Sequence, residues 1–190
     1  MNFLTECEFN DFIFFEKNEM YKDFFTILFH TGMRRGEVLA LKWENIDLKN
    51  NLINIKATYN PRYENMGLAL TTPKTSKSIR TIKIINIVSN VLKKYFNCEE
   101  KRIFERIKLT TLKRKCDNNC ILAGIDKVIR IHDFRHSFAS MCINKSIPIE
   151  IISEFLGHEN ISITLDIYGL LYPNSQDKLV LLLEKQDQKK

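Results

Sequence analysis

Helical spacing of apolar residues occupies both ends of this chain, and a short stretch of strand-like sequence interrupts it between residues 52 and 85. That order limits the fold more than any other feature, because a helix buries a stripe and a strand buries alternate residues. Thr5-Glu-Cys-Glu8 is a capping box that predicts a helix through about Lys17. A second helix is predicted from about Met20 to the stop at Gly32, and a third from Arg35 to about Leu41. Leu52 to Ala57, Leu68 to Thr72 and Ser78 to Ile85 read as short strands, the last with Ile79, Ile82 and Ile84 alternating imperfectly with polar residues. From Asn86 the helical period returns, with breaks at Gly124, Pro148, Gly157 and Pro173, and a final amphipathic helix is predicted from Asn174 to about Lys185. The expected fold is α+β, a mostly helical single domain with a small three-stranded antiparallel sheet.

A chain of 190 residues that is 44% hydrophobic can bury a sizeable core. Its apolar runs, such as Phe24 to Phe29, are far shorter than the roughly 20 residues a spanning helix needs, and acidic residues stand where a signal peptide is basic. A cytoplasmic protein is expected. Five cysteines, with only Cys116 and Cys120 close together, do not read as a disulfide framework, and the spacing to His132 and His136 fits zinc poorly. No metal or cofactor is implied.

The net charge of +6 conceals a division of charge. Residues 71–150 hold 17 Lys and Arg against 7 Asp and Glu, whereas the segments before and after are slightly acidic. The basic runs 74–83 (KTSKSIRTIK) and 101–115 (KRIFERIKLTTLKRK) can attract a nucleic-acid backbone through counterion release, or be solvated faces. Lys77, Arg80, Lys113, Arg114 and Lys115 are the expected DNA contacts.

His132, Arg135, His158 and Tyr168 crowd into the last third of the sequence, in HDFRHS, LGHEN and TLDIYG. Cationic groups that can grip a phosphate, imidazoles that can move protons and a phenol that can attack make a phosphoryl-transfer site. His132 and Arg135 are three apart at a predicted helix start, where free amides favour an anion. Arg34 follows the Thr31-Gly32-Met33 turn at another helix start, and its planar fork suits two phosphate oxygens. Each residue alone has a plainer reading: Tyr168 a packed aromatic, His132, His158 and Arg135 surface or capping groups. His30 and His136 read as structural.

The chain resembles the tyrosine recombinase family, the phage integrases and their relatives. The likeness lies in TGMRRGEVLALKW from Thr31, TPKTSKSIRTIKI from Thr72, HDFRHSFAS from His132 and LGHENISITLDIYGLL from Leu156, in that order and over nearly the whole chain. It implies catalytic roles for Arg34, Lys74, His132, Arg135, His158 and Tyr168, with Glu37 supporting an arginine. Lys77 remains an alternative to Lys74. A free tyrosine with a pKa near ~10 is only about 0.1% phenolate at pH 7, so a group must take its proton. His132 is the expected acceptor, Arg34, Arg135 and His158 would stabilise the phosphate oxygens, and Lys74 would protonate the departing 5′ oxygen.

The implied activity is site-specific recombination of double-stranded DNA through a 3′-phosphotyrosyl link, without metal or ATP. Its implied setting is a homotetramer on the recombination site, with a directionality factor as a further partner. Residues 1–173 are expected to form the catalytic domain and 174–190 a helix that docks on a neighbouring protomer. The core-binding and arm-binding domains usual at the front of the family are expected to be absent. The other functional reading is a remnant that binds DNA without cleaving it.

Overall fold

The computed structural model describes residues 2–66, 69–71, 78–96 and 100–169. The predicted C-terminal helix, Lys74 and Lys77 lie outside the described residues. Eight α-helices and five short strands occur among the described residues.

The first two helices form for the reasons their sequences gave. In α1 (Glu6–Phe14), the Thr5 hydroxyl accepts from Glu8 N at 3.2 Å and the Glu8 carboxylate accepts from Thr5 N at 2.8 Å. The cap satisfies amides that a helix start leaves unpaired. Asn18 caps α2 (Glu19–Thr31), which is buried on most sides, and Gly32 ends it in the left-handed region at φ 59°. The core is built of phenylalanine: Phe9 stacks on Phe29 at 3.8 Å, and Phe25 contacts both Phe12 and Phe134. Phe134 belongs to α6 (Asp133–Asn144), so α2 is clasped between α1 and a helix more than 100 residues later.

α3 (Arg35–Leu39) follows the Gly32 turn and packs on β3 (Thr58–Tyr59). A methyl group on Gly36 would collide with the Thr58 hydroxyl and stand 3.0 Å from the Tyr59 carbonyl, so this approach requires glycine.

The three-stranded antiparallel sheet has the order β1 (Ile46–Asp47), β2 (Leu52–Ile55), β5 (Arg80–Lys83). Its composition differs from expectation. The predicted middle strand is β4 (Leu70–Thr71), which pairs with β3 in a separate ribbon, and Ile46–Asp47 takes the third place. The phase of β5 also differs. Ile82 opposes Ile53 and both are buried, so the residues in step with Ile82 face inward, and these include Arg80. Ile79, out of step, is exposed.

α4 (Asn86–Lys93) and α5 (Leu109–Leu122) complete the body, α4 against α2 and α5 against α1. α7 (Ile149–Leu156) ends at Gly157, again left-handed at φ 71°, and Asn160 caps α8 (Ile161–Tyr168). These two helices share a second apolar cluster with α6, made of Phe138, Ala139, Ile143, Ile152, Leu156 and Tyr168.

Candidate active site

Helix ends place the candidate side chains. Arg34 stands at the start of α3, His132 at the start of α6 and His158 just after α7, while Tyr168 ends α8. Arg135, one turn into α6, gathers these elements. Its Nη1 donates to the Gly32 carbonyl at 2.9 Å and its Nη2 to the Leu156 carbonyl at 2.8 Å. Two helix C-termini, each with an exposed carbonyl end and a partial negative charge, thus hold a buried guanidinium. Burial and the neighbouring Arg34 pull the Arg135 pKa down to about 9, which leaves it charged at neutral pH.

Glu37 lies between two arginines. Arg80 meets its carboxylate through both terminal nitrogens, each at 3.1 Å, and Arg34 Nη1 donates to it at 2.9 Å. Burial alone would raise the Glu37 pKa, but the hydrogen bonds and charge of Arg80, then of Arg34, hold it below the ordinary carboxylate value. Arg34 keeps 39% of its side chain exposed and lines an open groove of about 780 Å³ with Arg35, Tyr59, Arg62, Tyr63 and His132. A guanidinium anchored at one edge and open at the other is oriented to take an anion from that groove.

Arg80 corrects the sequence reading. Expected to contact DNA, it is 7% exposed in its side chain and committed to Glu37 and, through Nε, to the Phe155 carbonyl at 2.8 Å. Lys115 likewise pairs with Glu16 at 2.6 Å instead of standing free. Lys113 and Arg114 are exposed on α5 and do not line the groove.

The three imidazoles around the arginines are all held toward the neutral form. For His158, burial, then Arg135 and Arg34, push the pKa down to about 4. For His132, burial and Arg135 lower it against the pull of Asp133. For His136, burial and His132 lower it, with Asp133 again opposing. His158 Nδ1 lies 2.7 Å from the Thr164 hydroxyl, a fully buried group one helical turn before Tyr168.

Tyr168 is 1% exposed, and burial pushes its pKa up to about 12 despite the attraction of Arg135. Its hydroxyl is 2.7 Å from Nδ1 of His136. His136, structural by its sequence, thus meets the phenol, and Thr164, given no role by its sequence, meets His158. The signal for both was spacing: His136 is four residues after His132, and Thr164 four before Tyr168, so each shares a helix face with a residue already singled out.

Among the described residues, no group of three or more His, Cys, Asp or Glu could hold a metal ion. Among the same described residues, no helix is long and apolar enough to cross a membrane.

A model of the phage integrase family matches residues 2–174. The chain belongs to the phage integrase family. It is 32% identical to the ICEBs1 integrase of Bacillus subtilis over 94% of this chain and 53% of that protein. It is 29% identical to a XerC-like tyrosine recombinase of Caldanaerobacter subterraneus over 86% of this chain and 49% of that one. The chain thus spans about half the length of these curated relatives. In fold it is similar to the catalytic domain of bacteriophage HP1 integrase, with a TM-score of 0.65, 19% identity, and coverage of 95% of this chain and 94% of that domain. It is similar also to the Tn1549 transposon integrase solved with circular intermediate DNA, with a TM-score of 0.73, 19% identity, and coverage of 97% and 67%. This member of the family has the arginines, imidazoles and phenol of its motifs drawn from both halves of the sequence to one side of α6.

Proposed function

We propose that the chain is the strand-cleaving part of a site-specific DNA recombinase, with Tyr168 as its nucleophile. The convergence of Arg34 and Arg135 on the imidazoles of His132 and His158, beside the Tyr168 phenol, carries this reading. Such a set matches a phosphodiester passing through a pentacoordinate state. Two guanidiniums neutralise the nonbridging oxygens, and neutral imidazoles donate or accept protons without adding charge that repels the arginines. Lys74, in the PKTSK motif, is the proton donor to the departing 5′ oxygen on the strength of the family resemblance, with Lys77 as the alternative.

The reaction conserves bond energy. Tyr168 Oη attacks phosphorus, the P–O5′ bond breaks, and a 3′-phosphotyrosyl link remains until a 5′-hydroxyl from another strand reverses it. Neither metal nor ATP enters. The groove with Arg34, Arg35 and Arg62 supports double-stranded DNA as the substrate, and the similar Tn1549 transposon integrase is solved in complex with circular intermediate DNA. A homotetramer on the recombination site, with a directionality factor, is the assembly this reading implies.

The test is a duplex nicked beside the scissile phosphate, which traps the covalent adduct. Adduct formation by the wild-type chain, lost in Tyr168→Phe while DNA binding persists, is the expected outcome. DNA binding without adduct on cognate DNA would leave only the noncatalytic remnant. Arg34→Ala and Arg135→Ala should each lower cleavage more than binding; equal losses would sink their assigned roles.

A further inference from the structure

We propose that His136, not His132, is the group that takes the proton of Tyr168, through Nδ1, as the phenol attacks phosphorus. The inference rests on the reading of Tyr168 as nucleophile and assigns the base within that site. Geometry separates the two imidazoles. His132 and His136 are one turn apart on α6 with ring centroids 5.2 Å apart, but they face different things. His132 lines the open groove with Arg34. His136 points to the end of α8, where its Nδ1 meets Tyr168 Oη at 2.7 Å. That distance is within the range for a hydrogen bond along which a proton can pass.

The protonation states agree. A phenol pushed up to about 12 is ionised to roughly one part in 10⁵ at pH 7, so Tyr168 depends on an adjacent acceptor more than a free tyrosine does. The charged or titratable groups facing His136 are His132, Asp133, Arg135 and Arg130 from its own helix and the turn before it, and Tyr168 from α8. Burial and His132, with Arg135 and Arg130, hold the imidazole toward the neutral form, and in the tautomer with its proton on Nε2 the Nδ1 lone pair faces the phenol. Asp133, fully buried and bound to Arg130, is the negative charge that offsets the imidazolium once it forms.

Atoms and charge balance over the cycle. In cleavage the Oη–H bond breaks and Nδ1–H forms, Oη bonds phosphorus, and the 5′ oxygen leaves with a proton from the separate donor. In rejoining, the incoming 5′-hydroxyl returns its proton to that donor, the P–Oη bond breaks, and Oη recovers its proton from Nδ1. Chain and DNA return to their starting protonation.

Single-turnover adduct formation on the nicked duplex, followed from about pH 5 to pH 9.5, tests this. The wild-type rate should rise through an apparent pKa below the ordinary histidine value and then level off. His136→Asn can place an amide oxygen near the Nδ1 position, keeping the hydrogen bond while accepting no proton. It should cleave about 10²- to 10⁴-fold more slowly at pH 7 and gain roughly tenfold per pH unit upward, with melting temperature and DNA affinity unchanged. In His136→Gly, added imidazole should restore cleavage with the pH dependence of free imidazole.

His136→Asn that keeps the wild-type rate and profile, or cleaves faster, overturns the assignment while Tyr168→Phe remains inactive and the nucleophile stands. If both His136 variants fail to fold, the wild-type profile decides: a rate that climbs tenfold per pH unit from about 6 to 9 without levelling overturns it. A wild-type chain that binds cognate DNA but forms no adduct removes the reading of Tyr168 and this inference together.

Discussion

Arg80 and Glu37 form a two-pronged ion pair, Nη1 to Oε1 and Nη2 to Oε2, each at 3.1 Å, with side chains only 7% and 2% exposed. Because Glu37 also holds Arg34, a charge on β5 fixes the pose of a groove-facing guanidinium on α3. Removing one member of a buried pair leaves the other uncompensated and costs about 3–5 kcal/mol. Arg80→Met should therefore lower stability by roughly that amount in denaturant titration. Adding Glu37→Met should recover part of the stability but none of the cleavage, because Arg34 then loses the carboxylate that anchors it. Additive stability losses would show that the pair is not coupled.

Thr164 and Tyr168 lie one turn apart on α8, and each touches a different imidazole. In the tautomer whose Nδ1 accepts from the Thr164 hydroxyl, His158 carries its proton on Nε2 and can donate to a phosphate oxygen. Thr164→Val keeps the shape and removes the hydroxyl. It should slow cleavage about 10- to 100-fold at unchanged DNA affinity, and Thr164→Ser should restore most of the rate. Equal rates for Val and Thr would remove the hydroxyl from the mechanism.

The histidine shifts set a pH dependence of stability. His158 is lowered from 6.5 to about 4, and His132 and His136 are lowered too, by burial first in each case. Between about pH 6.5 and 4 the unfolded chain binds more protons than the folded one, so stability is full above that window and falls as pH drops through it. Melting temperature should decline on acidification, less steeply in His158→Asn. Sulfate, binding the protonated site, should raise it more at about pH 5.5 than at about pH 7.5. A melting temperature that is flat across the window would contradict the burial of these rings.

Much of this was legible in the sequence, and the gaps have physical causes. Caps and stops such as Thr5, Gly32 and Gly157 are local, and the structure places helix ends at them. The likeness in motifs brought Arg34, His132, Arg135, His158 and Tyr168 together, although nothing local says that Arg135 reaches back to Gly32. Sheet partners were harder. Leu70–Thr71 and Ile46–Asp47 are two-residue strands whose pairing depends on what lies beside them, not on their own pattern. Arg80 was misjudged because a basic run suggests solvent, whereas its two-residue offset from Ile82 puts it on the inward face. His136 reads as structural from the sequence because, although it shares a helix face with His132, nothing local says that α8 folds back to bring Tyr168 against it.

Gly32 joins the fold to the chemistry, and its replacement separates the two contributions. Its φ of 59° disfavours any side chain, and a methyl group there would stand 2.6 Å from the Phe138 ring and 2.7 Å from a Leu156 methyl. Strain in the left-handed region costs about 1 kcal/mol and overpacking a further 1–3. Gly32→Ala should thus lose roughly 2–4 kcal/mol, read as a lower denaturation midpoint at unchanged slope. Gly32 also offers its carbonyl to Arg135, and Leu156 offers the other, so relief of the clash must move at least one of the two anchors. Cleavage by the folded fraction should fall more than DNA affinity does. A variant that loses stability yet cleaves at the wild-type rate when folded would show that Arg135 keeps its pose without those carbonyls.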